Sequence, residues 1–183
     1  GVLGSSFKEQ KFLENNKYYF EFLNSRQNVD LRNLENTTKY FEKVSPNYII
    51  NLAAVSGGIG LSSKYHASLL RDNALICFNV LEASRKINVE KVIMTLSTGM
   101  YPKLAKLPYN ESDIHKGDPL DNNYGYSFGK RIIEPSIRGY RSEYELNAIG
   151  LILSGIYGEN DNFNLDSAPM LPATINKIYN AKF

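Results

Sequence analysis

Short apolar runs alternate with longer stretches of helical period along this chain. Tyr48-Ile-Ile-Asn-Leu52, Val89 to Leu96 and Ala148 to Leu153 read as strands, and the aromatic-rich Tyr18 to Leu23 as another. Between them, Ser5 to Asn15, Asn36 to Lys43, Ser68 to Lys86, Tyr126 to Tyr144 and Pro172 to Asn180 read as helices. In the stretch from Ser68, the positions Leu69, Leu70, Leu75, Ile76, Phe78, Val80 and Leu81 recur loosely at helical spacing. The second helix is closed by Ser45-Pro46, and a glycine-rich loop, Ser56-Gly-Gly-Ile-Gly60, precedes the third. Strands alternating with helices predict a parallel sheet covered on both faces, with strands that are themselves buried on both sides. Ligands in such sheets bind beyond the carboxyl ends of the strands. Asn51 to Gly60, Leu96 to Tyr101 and Gly155 to Phe163 lie there.

Composition narrows the picture by exclusion. A chain of 183 residues with 43% hydrophobic and 22% charged residues is an ordinary globular domain with a core to bury. A net charge of +2 with scattered lysines gives no footprint for nucleic acid. The single Cys77 excludes an internal disulfide and a multi-cysteine metal site, and His66 and His115 lack metal-ligand spacing, so no metal is expected. No apolar run approaches the about 20 residues that span a bilayer. No targeting segment is visible, so the chain is expected in the cytoplasm. It carries no internal repeat and no low-complexity segment.

The candidate chemistry sits at the predicted strand ends. Tyr126 and Lys130 are four apart on a predicted helix and so share one face. The ammonium is expected to hold the phenol below its reference of about 10, letting it trade a proton with a substrate oxygen. Ser97, closing an apolar run, offers a hydroxyl to the same oxygen. Those parts suit hydride transfer to or from a carbonyl beside a nicotinamide. Gly1 and Gly4 have the spacing of the last two glycines of G-x-G-x-x-G, where one admits a pyrophosphate and the other packs a helix on the sheet. The same spacing fits a plain turn before a helix. After Leu23 the chain reads Asn24-Ser-Arg26, with no acid to accept ribose hydroxyls, which argues for NADP(H) over NAD.

From Asn51 to Phe163 the chain resembles the extended short-chain dehydrogenase/reductase superfamily, and within it the GDP-L-fucose synthase family. The residues that carry the resemblance are Asn51-Leu-Ala-Ala54, Ser56-Gly-Gly-Ile59, Asn73, Asn79-Val-Leu-Glu-Ala83, Tyr101-Pro-Lys-Leu-Ala-Lys106, Glu111-Ser112, Tyr126-Ser-Phe-Gly-Lys130, Tyr157-Gly158 and Asp161-Asn-Phe163. The resemblance implies a Rossmann-type, doubly wound parallel sheet, one NADP-binding domain over residues 1–183 that lacks its first strand and a C-terminal substrate lobe. It implies Ser97, Tyr126 and Lys130 as the catalytic triad. Gly1, Gly4, Arg26, Asp30, Leu31, Leu52, Ala53, Ala54 and Leu96 are implied at the cofactor, with Arg26 at the 2′-phosphate and Asp30-Leu31 at the adenine. Arg26 also fits a solvent-facing arginine, and Asp30 a solvated turn carboxylate. Thr98, Gly99, Asn162 and Phe163 are implied at a nucleotide sugar, GDP-linked in that family. A homodimer through the helices that start at Ser68 and Tyr126 is implied as well.

The chain also departs from that family, whose members invert C3 and C5 with a cysteine and a histidine before reducing C4. Two residues after Ser97 stands Gly99, and the ungapped histidine position is Pro169; neither side chain transfers protons. The asparagine expected before Tyr-Gly is absent from Gly155-Ile-Tyr157. Cys77 is expected in the core and His115 in solvent, while His66, after the glycine-rich loop, suits either a surface cap or a recruited base. The expected activity is NADPH-dependent reduction of a nucleotide-linked 4-keto sugar without C3/C5 epimerisation. A fucose synthase with relocated proton-transfer groups, a related dehydratase or 4-epimerase, and a non-catalytic dinucleotide-binding subunit remain as alternatives.

Overall fold

β-branched and aliphatic residues favour a pleated, packed surface, and three such runs pair in the computed structural model, which describes residues 1–9, 18–23 and 29–182. They are β1 (Tyr48–Asn51), β2 (Lys91–Ser97) and β3 (Ala148–Leu153), parallel and in the order β1-β2-β3. Asn51 lies opposite Met94, and Ser97 opposite Leu153. The helices are α1 (Val2–Lys8), α2 (Leu34–Val44), α3 (Ile59–Ser62), α4 (His66–Lys86), α5 (Tyr124–Arg131), α6 (Ile133–Tyr144) and α7 (Met170–Lys182). α4 carries the chain from β1 to β2, and α5 with α6 carries it from β2 to β3, as parallel pairing demands. The fold is thus the expected Rossmann-type α/β arrangement.

The core fills the space between the sheet and one layer of helices. Val92, Met94 and Leu96 of β2 pack with Ile76, Val80 and Leu81 of α4 and with Ile133 and Ile137 of α6. Burying each such side chain contributes about 2 kcal/mol relative to leaving it in water, so β2 is the best-anchored element. The expectation of a sheet covered on both faces is not met among the described residues. Tyr48 and Ile50 of β1 are 54% and 42% exposed, and Leu151 of β3 is 42% exposed. Tyr18 to Leu23, expected to be a strand, carries none: the described sheet ends at β1, and this segment finds no strand beside it to complete a ladder.

The long helix expected from Tyr126 to Tyr144 is two helices, broken at Ile132. Pro135 explains the break. It has no N–H to give to the Arg131 carbonyl, which is harmless in the first turn of a new helix but not inside an old one. The described part of the first helix starts earlier than expected, at Val2, and ends at Lys8, with Gly1 at its N-cap. The remainder of that expected helix, to Asn15, lies outside the described residues.

Candidate active site at the carboxyl end of the central strand

Ser97 is the last residue of the middle strand, and its Oγ accepts the Gly99 N–H at 3.2 Å, which caps a 3-10 turn over Thr98–Met100. The Tyr126 phenol, in the first turn of α5, lies near enough to the Ser97 hydroxyl to be influenced by it. α5 is held down on this strand end by one of its faces. Ser127, Lys130 and Arg131, spaced i, i+3, i+4, donate to the Gly99 carbonyl (2.7 Å), the Thr95 carbonyl (2.9 Å) and the Met100 carbonyl (2.6 Å). Gly125 lets the start of α5 close on the start of α4, since a Cβ there would collide with the backbone of His66.

The electrostatics differ from the expected arrangement in one respect. Lys130 does not lower the Tyr126 phenol. Burial pushes that phenol above its ordinary value, and the nearby Ser97 hydroxyl only partly offsets it. Lys130 spends one N–H on Thr95, is 4% exposed, and has burial pull its ammonium down to about 8. It has no carboxylate partner among the described residues, so its remaining N–H groups suit neutral oxygens such as ribose hydroxyls. Arg131 is 6% exposed, lies over the Phe128 ring at 5.2 Å, and keeps one Nη2 buried without a partner. Burial lowers its guanidinium too.

The cofactor side is built on β1. Thr95 Oγ1 donates to the Asn51 carbonyl (3.0 Å), and Asn51 Oδ1 accepts the Ala53 N–H (3.2 Å). Asn73 of α4 grips Val55 at both ends, accepting its N–H at 3.0 Å and donating to its carbonyl at 2.9 Å. Leu52, Ala53 and Ala54 are thereby held half-buried beside the end of β2. Space is open around Gly1 and Gly4, where an added Cβ would meet nothing within 4 Å. This apolar strand-end loop, the open start of α1 at Gly1 and the free donors of Lys130 fit a dinucleotide; the close helix–sheet packing expected at Gly4 is not seen among the described residues. Other expected cofactor residues sit differently. Asp30 is engaged by Arg32 (2.8 Å), which also bridges to Asp72 of α4 (3.0 Å), and that pairing lowers the Asp30 carboxyl. The side chains of Leu31 and Leu96 are in the core, with Asn79 Nδ2 on the Leu31 carbonyl at 2.8 Å. Arg26 lies outside the described residues.

On the substrate side, Thr98 and Gly99 are half-buried in the turn after Ser97. Asn162 is occupied within its own loop, donating to Ser167 Oγ at 3.0 Å, and the Phe163 carbonyl accepts from Asn176 (2.7 Å). Gly58 brings that loop against the glycine-rich loop: its N–H donates to the Ser167 carbonyl at 2.8 Å, and a side chain there would run into Ala168. Pro169 directly precedes α7. Cys77 is in the core, its thiol pushed up to about 11 by burial. His115 is exposed and 3.0 Å from Glu134. His66 opens α4, stacked on Tyr124 at 4.2 Å with its Nδ1 buried and unpartnered. Among the described residues, no group of three or more His, Cys, Asp or Glu is placed to hold a metal, and no helix is long and apolar enough to cross a membrane.

Sequence reasoning named the ends of this site but not its supports. Ser127 and Arg131 were legible as the i, i+3, i+4 partners of Lys130. Asn73 stood among the residues that carry the resemblance, without a role, and Thr95 carried no signal of its own.

Residues 5–182 match the family described as the NAD dependent epimerase/dehydratase family. The chain is similar to the GDP-L-fucose synthase of Dictyostelium discoideum, 38% identical over 150 residues, covering 82% of this chain and 47% of that protein. Among solved structures it is similar to a GDP-6-OMe-4-keto-L-xylo-heptose reductase from C. jejuni (TM-score 0.90, 29% identity, 100% of this chain and 51% of that one). It is equally similar to a GDP-L-fucose synthetase from Naegleria fowleri bound to NADP (TM-score 0.90, 30% identity, 99% of this chain and 55% of that one). The chain spans about half the length of the curated relatives it matches.

Proposed function

The chain belongs to the NAD dependent epimerase/dehydratase family, and from that premise we propose that it reduces the keto group of a nucleotide-linked 4-keto sugar, GDP-linked, with NADPH and without inverting C3 or C5. The observation that carries the reading is the junction of Ser97, Tyr126 and Lys130 at the end of the central strand, with glycine at position 99. Its support among similar proteins is twofold: one solved structure is named as a reductase of a GDP-linked 4-keto heptose, and another is bound to NADP.

NADPH supplies the hydride when bound. Gly1, Gly4, Leu52, Ala53, Ala54 and Lys130 would hold it, with Arg26 at the 2′-phosphate. Tyr126 donates its phenolic proton to the keto oxygen as that oxygen gains charge, and the Ser97 hydroxyl hydrogen-bonds the same oxygen. A phenol raised by burial stays protonated at neutral pH, which suits donation and therefore reduction. Lys130, sharing a helix face with Tyr126, would hold the nicotinamide ribose beside the phenol through its free N–H groups, and the phenolate left behind is reprotonated from solvent. Gly99 and Pro169 offer no group to remove the protons on C3 and C5. A homodimer is part of the same reading, formed through α4 and α5, whose Leu70, Phe78 and Phe128 stand 36%, 40% and 38% exposed.

The test is NADPH oxidation by the purified protein against a panel of nucleotide-linked 4-keto sugars, starting with GDP-4-keto-6-deoxymannose. Turnover confined to GDP-linked sugars is expected. NADPH binding without turnover of any keto sugar would sink the reading in favour of a non-catalytic dinucleotide-binding subunit. A second reading, a bifunctional fucose synthase, rests on the name of the Dictyostelium relative and on the unpartnered Nδ1 of His66. It requires His66→Ala to abolish solvent exchange into the substrate while NADPH still binds.

A further inference from the structure

The space beside Gly99 is bounded by two polar groups. A Cβ placed on Gly99 would lie 3.5 Å from Ser97 Oγ and 3.2 Å from Asn123 Nδ2. Ser97 and Tyr126 face the same end of β2, so a keto oxygen taken up by that pair brings the carbons flanking the carbonyl close to this space. Asn123 is held in place there: it ends the 3-10 turn before α5, and its N–H donates to the Leu120 carbonyl at 2.9 Å. The next residue, Tyr124, is stacked on His66. The Asn123 carboxamide is half-buried, and none of the hydrogen bonds among the described residues uses it. A half-buried amide without a partner is a ready ligand for a hydroxyl, because it can donate and accept at once. An amide does not titrate in this range, so it binds without moving a proton.

We propose that Asn123 is a specificity-determining residue that hydrogen-bonds the C3 hydroxyl of the 4-keto sugar. This rests on the keto-sugar reductase reading above. Of the two carbons flanking a 4-keto group in a pyranose, C3 carries a free hydroxyl and C5 carries the ring oxygen, so the amide reads C3. Where a proton-transferring side chain at position 99 would act on C3, the chain leaves the space to a group that holds C3 and its hydroxyl as they are. A side chain at position 99 would have to displace the Asn123 amide by a few tenths of an ångström.

The experiment compares kcat/KM for a GDP-linked 4-keto-6-deoxyhexose and its 3-deoxy counterpart, in the wild-type protein and in Asn123→Ala, with NADPH affinity measured in both. The wild type is expected to prefer the hydroxylated sugar by about tenfold or more, the effect of one well-placed hydrogen bond. Asn123→Ala is expected to lose that factor on the hydroxylated sugar, to treat the two substrates alike, and to bind NADPH within about twofold of wild type. Equal turnover of the two sugars by the wild type overturns the inference without any variant. So does discrimination that survives in a folded Asn123→Ala. A wild type that binds NADPH but reduces neither sugar overturns the reductase reading instead.

Discussion

Two loops carry the residues expected at the site, and they are held by opposite means. The end of β2 and the turn after it are fixed from far along the chain: Thr95, Gly99 and Met100 each give a carbonyl to a side chain of α5, about thirty residues later. The loop around Asp161–Phe163 bonds chiefly to itself. Asn162 N–H donates to Asp161 (2.7 Å), Asn164 N–H to Asn162 (3.0 Å) and Asp166 N–H to Asn164 (2.9 Å), a run of local side-chain turns. A group that must meet a reacting oxygen needs a buried, long-range frame, because small displacements there are costly in rate. A loop that reads the remainder of a ligand tolerates local bonding, and with it a change of sequence, more readily.

The comparison breaks most visibly at Tyr126. Tyr126→Phe should cut kcat by about 10²- to 10⁴-fold, the range for a lost general acid, with NADPH binding within about twofold of wild type. A variant with near-normal kcat would remove the phenol from the reaction.

Lys130→Met should separate activity from stability. Burial lowers the ammonium to about 8, so the folded state disfavours its charge. Its cost is full below pH 8 and fades as pH rises from 8 towards the unfolded value near 10.5. The variant should therefore lose reduction yet gain stability on the order of 1 kcal/mol at pH 7, a gain that shrinks above pH 8. Wild-type activity should decline as pH rises through about 8. A thermal scan against pH, beside a pH–rate profile, checks both signs.

Arg131→Met removes one of the three tethers from α5 to the turn after Ser97. A kcat lowered about tenfold with an unchanged KM for NADPH is expected, from loss of alignment rather than of a ligand contact. Equal losses in both would show that the residue supports the fold alone. The smallest effect belongs to the other loop. Asn164→Ala should change stability by no more than about 1 kcal/mol and leave kcat intact, because the bonds its side chain accepts, from Asp166 N–H and Ser167 Oγ, are local and exposed.

What could be read in advance follows the same division. The three strands and α4 were legible because their apolar runs and periodicity are strong and their burial against one another enforces them. Tyr18 to Leu23 was misread because strand character in isolation has no meaning without a neighbouring strand. The break at Ile132 was written in Pro135. At the site, Ser97, Tyr126 and Lys130 were visible from spacing and helical geometry. The direction of the Tyr126 shift was not, because it depends on how deeply α5 is buried, and that follows from its tethers to Thr95, Gly99 and Met100 together with the close approach of Gly125 to His66. Asn73 and Thr95 act through backbone partners that no spacing in the sequence reveals.

The central claim is reduction without epimerisation, and NMR of the product formed in D₂O tests it most directly. NADPH-driven turnover of GDP-4-keto-6-deoxymannose should give a C4 alcohol with protium retained at C3 and C5. Deuterium at either carbon, or GDP-L-fucose as the product, would contradict it.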